Sequence, residues 1–123
     1  MVMPRHQHVA APLRVLTFNL LSADHADWSR RREVIRDGLR QLQPDVVALQ
    51  ETVWGQGYDQ AKDLLGSDYQ VVRHSARSSD GVGAVLASRW PFGMVRELDL
   101  GVTSRVTLPW SAAVAAEVEL PPP

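Results

Sequence analysis

Several things are missing from this sequence, and each absence narrows what the protein can be. There is no cysteine, so disulfide bonds and thiolate metal ligands are both excluded. Nearly all of the 13 basic residues are arginine, and Lys62 is the only lysine. They are balanced by 14 acidic residues, and a net charge of −1 gives no general attraction to nucleic acid. No apolar run approaches the ~20 residues of a membrane helix, so we predict no membrane span.

What remains is the composition of an ordinary globular domain. The 123 residues are 45% hydrophobic, which is enough for one small domain with a core. Residues 1–12 lack the apolar segment of a signal peptide, so we expect a flexible lead-in and, by default, a cytoplasmic protein. His6 and His8 alternate there and could bind a metal, although a loose polar terminus explains them more simply.

Two short apolar runs organise the chain, and each ends on a polar residue. Residues 13–18 and 46–50 are rich in Val, Leu and Phe, which predicts buried strands. Between them, apolar residues recur at helical spacing over residues 28–42. Strand, helix and strand form a βαβ unit, which brings the carboxyl ends of its two strands together. Asn19 and Glu51 follow those ends, where open α/β sheets bind ligands, so we predict that their side chains converge.

The rest of the chain adds one more helix and several strands. A second helix is predicted over residues 58–65, after a loop at residues 52–57. The predicted later strands cover residues 69–73, 82–87, 94–100 and 111–120. This order predicts an α/β protein with one mixed sheet and two main helices.

Three blocks of sequence resemble a known family. The chain reads Thr-Phe-Asn-Leu at residues 17–20, Pro-Asp-Val-Val-Ala-Leu-Gln-Glu at residues 44–51, and Gly-Ala-Val-Leu-Ala-Ser-Arg-Trp-Pro at residues 83–91. In order and spacing, these blocks resemble the endonuclease/exonuclease/phosphatase family, which has the DNase I-like fold. The resemblance implies half of a four-layer α/β sandwich, with residues 13–120 as the N-terminal part of a truncated domain.

The resemblance also implies the chemistry of a metal-dependent phosphoester hydrolase. Glu51 stands where the family has its metal ligand and Asn19 lies next to it, so both are candidate catalytic and metal-binding residues for Mg²⁺ or Mn²⁺. Oxygen donors of this kind suit Mg²⁺. Without a metal, Asn19 would satisfy the backbone of a turn and Glu51 would be a solvated residue at a strand end. Arg89 and Arg105 are candidate substrate-binding residues, although packing explains Arg89 equally simply.

Much of the family's catalytic set is absent after Glu51. The later catalytic histidine, the Gly-Asp-x-Asn block and the closing Asp-His pair are not found. We therefore expect an N-terminal fragment that is inactive alone, belonging to a phosphodiesterase or phosphatase whose substrate class stays open. The alternative is a non-catalytic remnant or an interaction module. A complementary C-terminal half, or self-association, would cover the inner face of the sheet. Six apolar residues are predicted to line that face: Phe18, Val47, Leu49, Val85, Val114 and Val118.

Three polar clusters each have two interpretations. The arginines at residues 30–32 could clamp a phosphate, but a solvated helix face is the simpler interpretation. The acidic and histidine residues at 24–27 could bind a metal, but a helix-capping loop accounts for them. His74 and Asp80 fall in a polar loop where the family often contacts its substrate, and no motif supports either residue.

Overall fold

The computed structural model describes residues 12–55, 57–105 and 112–122 of the chain. Its strands are β1 (Val15–Asn19), β2 (Val46–Gly55), β3 (Tyr58–Asp59), β4 (Gln70–Arg73), β5 (Val82–Ser88), β6 (Phe92–Asp99) and β7 (Ala112–Val118). Its helices are α1 (Trp28–Leu42) and α2 (Gln60–Leu65), and one 3-10 turn covers Gly66–Asp68. Within these ranges, no helix has the length and apolar character needed to cross a membrane. His6 and His8 lie outside the described residues.

The predicted βαβ unit forms the start of the fold. β1 and β2 are parallel neighbours joined through α1, with Val15 opposite Val46 and Asn19 opposite Gln50. β5 runs antiparallel on the other side of β2, and β4 pairs with β5, which gives the order β1-β2-β5-β4. The prediction of a mixed sheet with two main helices is confirmed.

The sheet buries one face beneath the two helices. Val47, Leu49 and Val85 are almost fully buried on that face, in one cluster with leucines of α1 and α2. The prediction that these three residues line an uncovered inner face is therefore wrong. Side chains alternate along a strand, so the open face carries the other set of residues. Val15, on that set, is 65% exposed.

A polar cluster ties α1 to α2 at the surface. Arg32 donates through Nε and Nη2 to both carboxylate oxygens of Asp63, each at 2.7 Å. The Tyr58 hydroxyl donates to Asp63 Oδ2 at 2.7 Å, and Trp28 Nε1 donates to that hydroxyl oxygen at 3.0 Å. These donors, Arg32 first, lower the pKa of Asp63 to about 2, against the opposing effect of burial.

β2 is longer than the sequence predicts. Instead of a loop at residues 52–57, β2 continues to Gly55 and pairs with β3, with Trp54 opposite Asp59. The Trp54 N–H also donates to the carbonyl of Gly81 at 2.9 Å. Gly81 has φ +84°, and a Cβ there would lie 2.7 Å from Trp54 O. Only glycine fits this close approach without strain.

The last two strands pair with each other. The sequence predicts one sheet for the whole chain, whereas β6 and β7 form a separate antiparallel two-stranded sheet. Glu97 of β6 accepts hydrogen bonds from Ser75, at 2.8 Å from the backbone N and 2.5 Å from Oγ. These bonds lower the pKa of Glu97 and attach the hairpin to the segment that follows β4.

Candidate active site at the carboxyl ends of β1 and β2

Backbone hydrogen bonds join the chain just after β1 to the middle of β2, beyond the last paired residues. The Leu20 N–H donates to Gln50 O at 2.9 Å, and the Ser22 N–H donates to Glu51 O at 2.8 Å. Asn19 ends β1 and lies opposite Gln50, so Glu51 follows at the point where β1 stops pairing. The prediction that Glu51 ends its own strand is wrong, since β2 continues to Gly55. The predicted convergence of their side chains stays a prediction, while their neighbouring positions on adjacent strands are established.

Glu51 is the extra residue of a β-bulge. Leu49 lies opposite Val85 and Thr52 lies opposite Gly83, so two residues of β2 face a single residue of β5 between these pairs. The backbone of Glu51 has φ +49°, in the left-handed region, and its side chain is exposed. Its neighbour Thr52 is fully buried. A bulge of this kind redirects a side chain, so Glu51 leaves the alternation that buries its neighbours.

Asn19 is fixed by its own turn. Its Oδ1 accepts a hydrogen bond from the Leu21 N–H at 2.9 Å, as expected for an Asn that closes a tight turn. One lone pair of Oδ1 and the two N–H groups of the amide are left for a ligand. Beside it, Gln50 Nε2 donates to Thr17 Oγ1 at 3.1 Å, which orders the same face of the sheet.

The loop between β1 and α1 has an unusual backbone. Four of its residues have left-handed φ values although none is glycine: Leu21, Ser22, Ala26 and Asp27. Each such residue costs about 1 kcal/mol. Asp27 occupies the N-cap position of α1 but makes no side-chain capping bond, so the predicted capping role is wrong. Its Oδ1 accepts from Ser29 Oγ at 3.2 Å instead.

Arg31 holds this loop together. Its guanidinium donates to the carbonyl oxygens of Leu20 at 2.6 Å, Ser22 at 2.9 Å, His25 at 2.5 Å and Ala26 at 2.7 Å. The guanidinium also lies 5.1 Å from the centroid of the Trp28 ring.

Arg31 was missed as a functional residue by sequence reasoning. Arg31 binds backbone carbonyls and Arg32 binds Asp63. The two arginines therefore form neither a phosphate clamp nor a solvated helix face. Their spacing from Trp28 is the signal that could have located them, because positions i+3 and i+4 lie on the same face of a helix as position i.

Of the two candidate substrate-binding arginines, Arg89 lies apart from Asn19 and Glu51. Arg89 follows β5 at the amino end of β2, the opposite edge of the sheet, since Ser88 pairs with Val46. There Arg89 donates to Pro44 O at 3.2 Å and Gln43 Oε1 at 2.5 Å, which fits its packing interpretation.

Arg105 lies in the exposed segment after β6. Its backbone N–H donates to Thr103 Oγ1 at 3.3 Å. Substrate binding by its side chain stays a prediction.

The loop between β4 and β5 is built around Arg77. Its Nη2 donates to Thr52 O and its Nε donates to Gly81 O at 2.8 Å, so the loop is held against β2 next to Glu51. Burial, followed by the nearby charge of Arg73, lowers the pKa of Arg77.

The two residues that the sequence singles out in that loop differ in exposure. His74 is 4% exposed, and its Nδ1 accepts from the Ala76 N–H at 2.8 Å. Asp80 is exposed, and its hydrogen bond from Ser78 lowers its pKa.

The side-chain oxygens of Asn19 and Glu51 are suitable ligands for a hard cation. Glu51 offers an exposed carboxylate and Asn19 an amide oxygen, and Mg²⁺ is commonly held by one or two carboxylates while it keeps several waters. Among residues 12–55, 57–105 and 112–122, no group of three or more His, Cys, Asp or Glu side chains is placed to hold a metal. Glu51 and Asn19 together would supply only part of the coordination shell of a Mg²⁺ or Mn²⁺ ion.

Comparison with known proteins identifies the family. The sequence profile of the Endonuclease/Exonuclease/phosphatase family matches residues 16–122, so the chain belongs to this family. Comparison with curated proteins gives no significant match.

A solved structure supports the fold independently. An endonuclease/exonuclease/phosphatase family protein from Leptotrichia buccalis C-1013-b superimposes with a TM-score of 0.59 at 16% sequence identity. The match covers 71% of this chain and 40% of that protein. This likeness confirms that the mixed sheet and its helices correspond to part of the DNase I-like fold.

Proposed function

We propose that this chain carries part of the active site of a metal-dependent phosphoester hydrolase. In this proposal Glu51 is the protein ligand of Mg²⁺ or Mn²⁺, and Asn19 is its neighbour at the adjoining strand end. The observation that carries the proposal is the conformation of Glu51. A non-glycine residue in a left-handed bulge stores strain, and such strain concentrates at functional sites.

In this proposal Glu51 supplies the charge that binds the metal, and Asn19 orients the substrate. A divalent cation, when bound, polarises a phosphoryl oxygen and offsets the charge that develops there. Glu51 contributes the negative charge that binds the cation. Asn19 is held by the Leu21 N–H, so its amide N–H groups are positioned to donate to an anionic oxygen of the substrate. Since Asn19 is neutral, it can approach a phosphate without repelling it.

The rest of the catalytic set lies outside the residues that we assign. The sequence after Glu51 contains no Gly-Asp-x-Asn block and no Asp-His pair. We propose that a complementary half, or a continuation of the chain, supplies the group that activates water. Residues that act as a unit lose almost all activity when one is missing, so the chain alone should be inactive.

The experiment is a titration of the full chain with Mn²⁺, followed by electron paramagnetic resonance of the free ion. We expect weak binding that Glu51→Gln abolishes, because the substitution keeps size and removes charge. Glu33→Gln is the matched control, since Glu33 is an exposed carboxylate paired with Arg32 on α1. Equal Mn²⁺ binding by the Glu51→Gln variant and the unaltered chain would refute the assigned role.

A second arm addresses catalysis in a longer relative that contains the later motifs. There, Glu51→Ala at the equivalent position should remove both activity and metal dependence with little loss of stability. An active variant with unchanged Mg²⁺ dependence would exclude Glu51 as the metal ligand.

A further inference from the structure

Arg31 is half-buried and donates several hydrogen bonds to the loop that carries the candidate site. Four backbone carbonyl oxygens, from Leu20, Ser22, His25 and Ala26, accept from its three guanidinium nitrogens at 2.5–2.9 Å. Hydrogen bonds from an ionised donor are stronger than neutral ones, and the planar guanidinium presents them in a fixed fork. The fork therefore defines the path of the loop over seven residues, from Leu20 to Ala26.

The same loop is hydrogen-bonded to β2 at Gln50 and Glu51. Leu20 and Ser22 donate their N–H groups to Gln50 O and Glu51 O, while their own carbonyl oxygens accept from Arg31. Each of these two peptide segments thus links the guanidinium to the bulge that carries Glu51. Leu21 lies between them, and its N–H orients the amide of Asn19.

The strained backbone of the loop must be stabilised by contacts from outside it. Leu21, Ser22, Ala26 and Asp27 all have left-handed φ values, which non-glycine residues do not keep unless surrounding groups fix them. Arg31 is a charged group that bonds the carbonyls of two of these residues, Ser22 and Ala26, and of Leu20 and His25 beside them. A lysine at this position would keep the charge but could not reach four carbonyls in one plane.

We infer that Arg31 is a positioning residue for the candidate metal site, because it fixes the left-handed loop that aligns Asn19 and Glu51. This inference rests on the function proposed above. Arg31 touches neither substrate nor metal in this role. Groups that orient metal ligands typically change metal affinity by about 10- to 100-fold when they are removed.

The test uses the full chain with Arg31→Ala, Arg31→Lys and, as a matched control, the exposed neighbour Arg30→Ala. Hydrogen exchange of the Leu20 and Ser22 amides reports the loop without any metal. Mn²⁺ titration reports the site. We expect both Arg31 variants to lose amide protection and about tenfold or more in Mn²⁺ affinity. Arg30→Ala should change neither, and amides of β5 should stay protected in every variant.

Chemical rescue by low-millimolar guanidinium distinguishes the loss of this positioning role from a general loss of stability. In Arg31→Ala it should restore part of the amide protection and part of the Mn²⁺ affinity, whereas methylammonium should not. If Arg31→Ala unfolds the whole chain, the milder Arg31→Lys variant decides the question by the same two measurements.

Two results would overturn the inference. One is retained protection of the Leu20 and Ser22 amides in a folded Arg31 variant. The other is unchanged Mn²⁺ affinity after that protection is lost, since the loop would then not position the site. Failure of the unaltered chain to bind Mn²⁺ would instead remove the metal proposal. Amide exchange would still decide whether Arg31 orders the strand ends.

Discussion

Replacement of Glu51 by glycine and by alanine tests whether the bulge is built for function. Both substitutions remove the carboxylate, and the exposed side chain has little packing to lose. They differ in backbone, because glycine adopts φ +49° freely and alanine does not. The comparison of the two variants therefore isolates the conformational strain that Glu51 carries.

The size of the effect comes from two opposing contributions. A non-glycine residue in the left-handed region costs about 1 kcal/mol relative to glycine. Glycine costs about 0.5–1 kcal/mol more chain entropy than alanine on folding. At Glu51 these contributions nearly cancel, so we expect the glycine variant to equal or slightly exceed the alanine variant in stability. At Val15, an exposed position in a regular strand, only the second contribution applies and glycine should be the less stable.

The assay is urea unfolding of four variants, Glu51→Gly, Glu51→Ala, Val15→Gly and Val15→Ala, followed by circular dichroism. The gap between glycine and alanine should differ between the two positions by about 1 kcal/mol. Both Glu51 variants should also fail to bind Mn²⁺. If glycine is as unfavourable at position 51 as at position 15, the left-handed bulge does not strain Glu51 and our argument from it is wrong.

Three further predictions concern stability and association. Asp63→Asn should lower the free energy of unfolding by about 2 kcal/mol at pH 7. Because the folded-state pKa of Asp63 is lowered to about 2, its contribution is complete above about pH 4 and fades as the pH falls towards 2. The gap between variant and unaltered chain in urea unfolding should close over that range, and a constant gap would contradict this. Gly81→Ala should cost more than about 2 kcal/mol, since its Cβ would lie 2.7 Å from Trp54 O. Gly57→Ala, with φ +80° but open space, should cost about 1 kcal/mol. The chain alone should self-associate in size-exclusion chromatography, because Val15, Met94 and Leu98 expose apolar surface, and it should show no phosphodiesterase activity in Mg²⁺. An active monomer inhibited by a chelator would show that the catalytic set is larger than we propose.

The sequence by itself determined the main elements and the end of β1. Helical spacing located α1 at Trp28–Leu42, and apolar runs located β1 and the start of β2 to within two residues, because each pattern is local. The polar residues that end those runs identified Asn19 and Glu51. The later motifs were also readable as absent, which is a property of the sequence alone.

Only the tertiary structure decided how these residues are used. The left-handed conformation of Glu51 depends on the register between β2 and β5, which no local pattern encodes. The face of the sheet that the helices cover was misassigned, since alternation predicts two faces without saying which is buried. The role of Arg31 arises because four carbonyls of a folded loop converge on one guanidinium. Convergence of this kind depends on distances in space, and those are set only when the strands pair and α1 packs against them.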